Sequence, residues 1–140
     1  MGTLKIMRVV IDTNVIISSL LFGGVPGNLI PLWKEDVIKP LISKDILNEY
    51  LKVLAYPKFE MTENEINFLI YREILHYFKD IIVTRQKRII KEDPTDNKFI
   101  ACAKAGQAAY IISGDSHLLN LSSSGSIGIV SPSQLLSKLK

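Results

Sequence analysis

Four acids, Asp12, Glu49, Asp96 and Asp115, stand where a chain of this pattern brings carboxylates together. Asp12 closes the β-branched run Val9-Val10-Ile11, and Asp115 follows the apolar Tyr110-Ile111-Ile112-Ser113. A charge that closes an apolar run is costly to bury without a partner. Several carboxylates in one crevice repel each other, and their pKa values rise unless a cation is present. Hard divalent cations take oxygen ligands and keep waters and substrate phosphates in their shell. With His76, His117 and Cys102 as the only histidines and cysteine, the acids favour Mg²⁺ or Mn²⁺ over zinc. The chemistry such a pocket does best is hydrolysis of a phosphodiester, in which metal activates water and stabilises the attacking and leaving oxygens.

These acids need elements to position them. Arg8 to Asp12 reads as a buried strand. Asn14 is a capping residue for a helix from Val15 to Leu21, and Gly23 to Gly27 ends it. Pro26 opens another helix through Trp33. A second strand falls near Val37 to Ile42. Ser43 caps a helix in which Ile46, Leu47, Tyr50, Leu51 and Leu54 recur at helical spacing, with Glu49 at the margin of that apolar face. Thr62 and Glu65 form a capping-box pattern ahead of the stripe Ile66, Leu69, Ile70, Ile74 and Tyr77. Asp80 to Val83 reads as a short strand, and a helix from about Thr95 ends at Gly106 as its C-cap. Tyr110–Ser113 and Gly128–Val130 read as strands, the Ser-rich Ser122 to Ser126 as a loop, and Pro132 begins a last helix. Alternating strands and helices imply right-handed crossovers and a parallel sheet covered on both faces. The expected class is α/β, a three-layer α/β/α sandwich with about five strands. Asp12, Asp96 and Asp115 then share the carboxyl edge of the sheet, where sites form in such folds.

Each acid alone has an ordinary role available. Asp93-Pro94-Thr95-Asp96 suits a helix start, Glu49 a solvated helix position, and Asp115 a turn. Their joint placement favours the shared site. Arg85, Lys87, Arg88 and Lys91 form a basic connector just before Asp93. It either grips substrate phosphates or is simply solvated. Lys98, two residues past Asp96, can face the same substrate. Trp33 and the tyrosines read as core or interface rather than base-stacking platforms, and His117 as an incidental loop residue.

The 140 residues, 47% hydrophobic and 22% charged, fit one globular domain over residues 7–140. Residues 1–6 read as a cloning remnant or an alternative start. The lone Cys102 forms no internal disulfide and reads as a small buried hydrophobe. The net charge of +3 suggests a polyanionic partner. Asp12-Thr13-Asn14 interrupts the apolar N-terminal stretch, so the expectation is a cytoplasmic protein without a membrane segment.

Val9-Val10-Ile11-Asp12-Thr13-Asn14-Val15, Ser43 through Glu49, Asp93 through Ala103, and Tyr110 through Leu119 occur in this order. Together they resemble the PIN-domain family over nearly the whole chain from Met7. The nearest subgroup is the bacterial and archaeal toxin components of toxin–antitoxin pairs, VapC-like in a broad sense. That resemblance implies a Mg²⁺- or Mn²⁺-dependent endoribonuclease, often a dimer, held inactive by a small antitoxin. It assigns the family's acids to Asp12, Glu49, Asp96 and Asp115, its hydroxyl position to Ser113, and a supporting polar position to Asn14. Ser116, His117 and Leu118 lack a further acid that some members carry, which leaves a second metal open. Related PIN domains process RNA without a toxin role. A phosphoacceptor signalling domain would want an acidic pair near the start and a late lysine, and a non-catalytic binding module would not need four acids in register.

Overall fold

The computed structural model describes residues 6–84, 94–115, 123–124 and 127–139, with the backbone alone at 94–97 and 123–124. Val9, Val10 and Ile11 are β-branched on both faces of one strand, which suits the centre of a parallel sheet. Strand β1 (Met7–Ile11) takes that place, with β2 (Ile38–Ile42) parallel on one side and β4 (Tyr110–Ile112) on the other. β3 (Lys79–Asp80) lies beyond β2, and β6 (Ile127–Val130) lies beyond β4. β5 (Ser123–Ser124) pairs antiparallel with β6, giving the order β3-β2-β1-β4-β6-β5. The expected α/β class with five parallel strands is present. The Ser-rich stretch expected as a loop instead supplies a short sixth strand, because the edge of β6 offers it a backbone ladder.

The helices are α1 (Thr13–Leu21), α2 (Gly24–Gly27), α3 (Leu29–Lys34), α4 (Lys44–Leu54), α5 (Glu63–Leu69), α6 (Pro94–Gly106) and α7 (Pro132–Lys138). Among the described residues no single helix is long and apolar enough to cross a membrane. Trp33 is fully buried and meets Phe78 edge-on at 5.2 Å, as its reading as core requires. The cap of α1 is Asp12, not Asn14: the Asp12 side chain accepts from the Asn14 N–H. A carboxylate there also meets the positive end of the helix. Asn28 separates α2 from α3, so Pro26 does not open one continuous helix through Trp33. Ser43 caps α4 by accepting from the Ile46 N–H, and Thr62 and Glu65 close the expected capping box.

Two segments depart from their periodicity. After Leu69 the chain widens into a π-helical stretch, Ile70–Leu75. It still buries Ile70 and Ile74, and it also buries Glu73, which Lys34 and Arg72 neutralise at 3.2 and 3.1 Å. The strand expected over Asp80–Val83 stops at Asp80. Ile81 N–H still donates to Ile42, but β2 has ended at the Ser43 cap, and Ile82 is 84% exposed.

Gly106 ends α6 for a different reason than capping. The left-handed residue is Gln107, with φ 57°. At Gly106 a Cβ would lie 2.5 Å from Leu41 Cδ1 and 3.0 Å from Ile81 Cδ1. Glycine lets the end of α6 press on the sheet, and Arg8 then donates to the Gly106 carbonyl at 2.8 Å.

Candidate active site

The chain leaves β1 toward β2 on one side and later returns to β4 on the other. Strand order therefore reverses between β1 and β4, and ligand crevices in open α/β sheets lie beyond the carboxyl ends at such a point. Asp12 follows β1 and Ser113 follows β4 at that edge. The Asp12 N–H donates to Ile112 at 2.9 Å, and the Ser113 N–H to Val130 at 2.9 Å.

Asp12 is only 8% exposed. Its Oδ1 accepts from the Asn14 N–H at 3.0 Å, and its Oδ2 from the Ser113 hydroxyl at 2.6 Å. Burial raises the Asp12 pKa above the usual carboxylate value. The bonds from Ser113 and Asn14 oppose that rise, whereas the negative charges of Asp115 and Glu49 add to it. Ser113 is fully buried, and its Oγ accepts from the Asp115 N–H at 3.0 Å. One hydroxyl thus fixes the Asp12 carboxylate and the backbone that carries Asp115.

Glu49, on α4, faces the same edge. Its Oε2 accepts from the Thr13 hydroxyl, and its Oε1 is ion-paired to Lys98 of α6. Lys98, expected to face substrate, is therefore engaged by a carboxylate of the site. The backbone of α6 begins at Pro94, so Asp96 lies in its first turn. The Asp96 side chain, Asp93, the connector residues Arg85, Lys87, Arg88 and Lys91, and His117 lie outside the described residues.

The carboxylate oxygens of Asp12, Glu49 and Asp115 are the donor type that suits a hard cation. Among the described residues, no group of three or more His, Cys, Asp or Glu side chains is placed to hold a metal ion, and the Asp96 side chain lies outside them. A partial set of protein ligands is how Mg²⁺ is usually held, with waters and substrate phosphates completing its shell.

A PIN domain family profile matches residues 8–117. The chain belongs to the PIN domain family. Members of that family are generally nucleases that use divalent metal ions. This PIN domain is 35% identical over 119 residues to the uncharacterized protein MJ1680 of Methanocaldococcus jannaschii, covering 82% of this chain and 75% of that protein. It is also similar to a chain in the crystal structure of VapBC2 from Rickettsia felis bound to a DNA fragment from their promoter. There the TM-score is 0.59 at 13% identity, over 88% of this chain and 97% of that one, a likeness of fold.

Two residues of this PIN domain site were not singled out from sequence. Thr13 orients Glu49, a contact its place between Asp12 and Asn14 does not announce. Tyr50 reads as one more apolar position of α4, yet its buried hydroxyl donates to the Ile11 carbonyl at 2.5 Å. Burial and then the Asp12 charge push the Tyr50 hydroxyl pKa well above its usual value, so it stays a neutral donor. It pins the backbone immediately before Asp12. Cys102 lies beneath the same region, and burial pushes its thiol up to about 12, which makes it inert packing.

Proposed function

We propose that this PIN domain is a Mg²⁺- or Mn²⁺-dependent endoribonuclease, the toxin of a toxin–antitoxin pair. The observation that carries this reading is Asp12, a buried carboxylate at the switch point whose pKa is raised in part by Asp115 and Glu49. Such a group stores electrostatic repulsion that a cation relieves.

Asp12, Glu49, Asp96 and Asp115 would hold the cation. Bound there, it supplies Lewis acidity toward the phosphodiester and favours ionisation of the attacking water. Ser113 and the Asn14 backbone keep Asp12 oriented, and Tyr50 holds the strand end beneath it. Thr13 and Lys98 hold Glu49. Ligands supported in this way lose little order when they bind. Arg85, Lys87, Arg88 and Lys91 precede α6 in the chain and would contact RNA phosphates.

The fold likeness to a chain of the VapBC2 complex supports a small antitoxin partner for this chain. We assign it a cytoplasmic location and a homodimeric state. The test of the enzymatic reading is chelation. RNA cleavage by the purified protein is expected to fall below detection in excess EDTA and to return when Mg²⁺ or Mn²⁺ is restored. Cleavage that persists in EDTA contradicts it.

A further inference from the structure

Two clefts adjoin at Tyr56, and each reaches the candidate site. One, of about 500 Å³, is lined by Glu49, Lys52, Val53, Tyr56 and Lys98 among others. The other, of about 470 Å³, is lined by Asn14, Phe22, Val53, Tyr56, Lys58 and Phe59 among others. Val53 and Tyr56 belong to both walls, so the clefts are neighbours across these side chains. The first ends on Glu49. The second ends on Asn14, whose N–H bonds Asp12.

The walls combine exposed rings with lysines, and in the first cleft the acids Asp45 and Glu49 stand beside Lys52 and Lys98. Tyr56 is 42% and Phe22 69% exposed. Phe22 meets Phe59 at 6.1 Å, and the Lys58 ammonium lies 5.2 Å from the centre of the Phe59 ring. Among the described residues, Lys58 is the only charged side chain lining the second cleft, so that wall is positive. Aromatic faces beside lysines suit single-stranded nucleic acid, in which bases stack on rings while the backbone follows positive charge. A peptide could fill the apolar part, but a nucleic acid uses both the rings and the charge, and it must pass the carboxylates to be cut.

We propose that these two clefts seat the nucleotides flanking the scissile phosphate of a single-stranded RNA, with one base stacked on Tyr56 and a phosphate on Lys58. This rests on the ribonuclease reading above. It reverses the expectation that the tyrosines serve only as core or interface, because Tyr56 sits just past the end of α4 rather than on its buried face. Tyr56 and Lys58 are positioning residues that place RNA on the site.

The test measures binding of a short fluorescent single-stranded RNA to the full chain carrying Asp12→Asn, so that the RNA stays intact. Adding Tyr56→Ala is expected to weaken binding about tenfold, the size of one lost base stack, while Tyr56→Phe restores it. An abasic site at one position of the RNA should cost about as much, and it should remove the difference between proteins with and without Tyr56→Ala. Lys58→Ala should lower the log–log salt slope by about 0.7. Should Tyr56→Ala fold poorly, Tyr56→Leu keeps the apolar bulk and gives the same reading through the abasic comparison. Unchanged affinity in the Tyr56 variants, a penalty equal at every abasic position, or no RNA binding overturns the proposal. Capture of an apolar peptide with RNA binding untouched overturns it too. Failure of the ribonuclease reading is read separately, as absence of cleavage by the wild type with Mg²⁺. A stacking signature that survives that failure rejects the enzyme and retains the cleft.

Discussion

Asp12→Asn is expected to lower RNA cleavage about a thousandfold or more while leaving the fold intact. The substitution keeps the shape of the side chain and removes one charged ligand. Several kcal/mol of transition-state stabilisation by a metal corresponds to a loss of that size. The metal-free variant should be at least as stable as the wild type at neutral pH, for a reason whose sign follows from the site. Burial, with Asp115 and Glu49, raises the Asp12 pKa in the folded state. Its contribution to stability is therefore full below the ordinary carboxylate pKa and is lost as pH rises through the raised value. The substituted amide cannot ionise and escapes that loss. It still accepts from the Asn14 N–H through its one carbonyl oxygen, and the Ser113 hydroxyl can turn to accept from its NH₂ group. Thermal melts without metal should show the advantage of the variant at pH 7 and its disappearance near pH 4. A variant with wild-type cleavage would remove Asp12 from the metal ligands.

Ser113→Ala is expected to cost about 10- to 100-fold in activity or metal affinity, the usual effect of removing a group that orients a ligand. The loss is large because the Oγ has two duties. It donates to Asp12 Oδ2 at 2.6 Å and accepts from the Asp115 N–H at 3.0 Å. Alanine leaves both of these buried interactions unmade, and stability should fall by about 1–3 kcal/mol. The hydroxyl also opposes the rise in the Asp12 pKa. Without it, the pH at which activity sets in should move upward, a change that a packing defect alone would not produce. Activity against pH at subsaturating Mg²⁺, where metal competes with the proton on Asp12, measures this; an unshifted profile would make Ser113 a core residue only.

The contrast between these residues shows what a sequence displays. Asp12 was legible because a carboxylate closing Val9-Val10-Ile11 is energetically conspicuous. Ser43 and the Thr62–Glu65 box were legible because capping is local, decided within four residues. Trp33 was legible as core because it follows an apolar helical stretch. The missed features depend on neighbours distant in the chain. Tyr50 looks apolar by periodicity until Ile11 supplies its acceptor, and Lys98 looks free until α4 brings Glu49 to it. Glu73 is buried because Lys34 and Arg72 surround it, within a π-helical turn that 3.6-residue periodicity cannot show. Gly106 looked like a cap, but its cause is Leu41 and Ile81 pressing on the end of α6. Tyr56 looked like one more aromatic until the clefts on either side of it were formed.

Metal-assisted attack of water on RNA is tested most directly by the chemistry of the product ends. A single-stranded RNA cut by the wild-type protein with Mg²⁺ should carry linear phosphate monoester ends, because water is the nucleophile. No 2′,3′-cyclic phosphate should form, and neither product should appear with EDTA or with Asp12→Asn. Cyclic phosphate ends formed equally well in EDTA would show attack by the RNA's own 2′-hydroxyl without a metal, and would contradict the account.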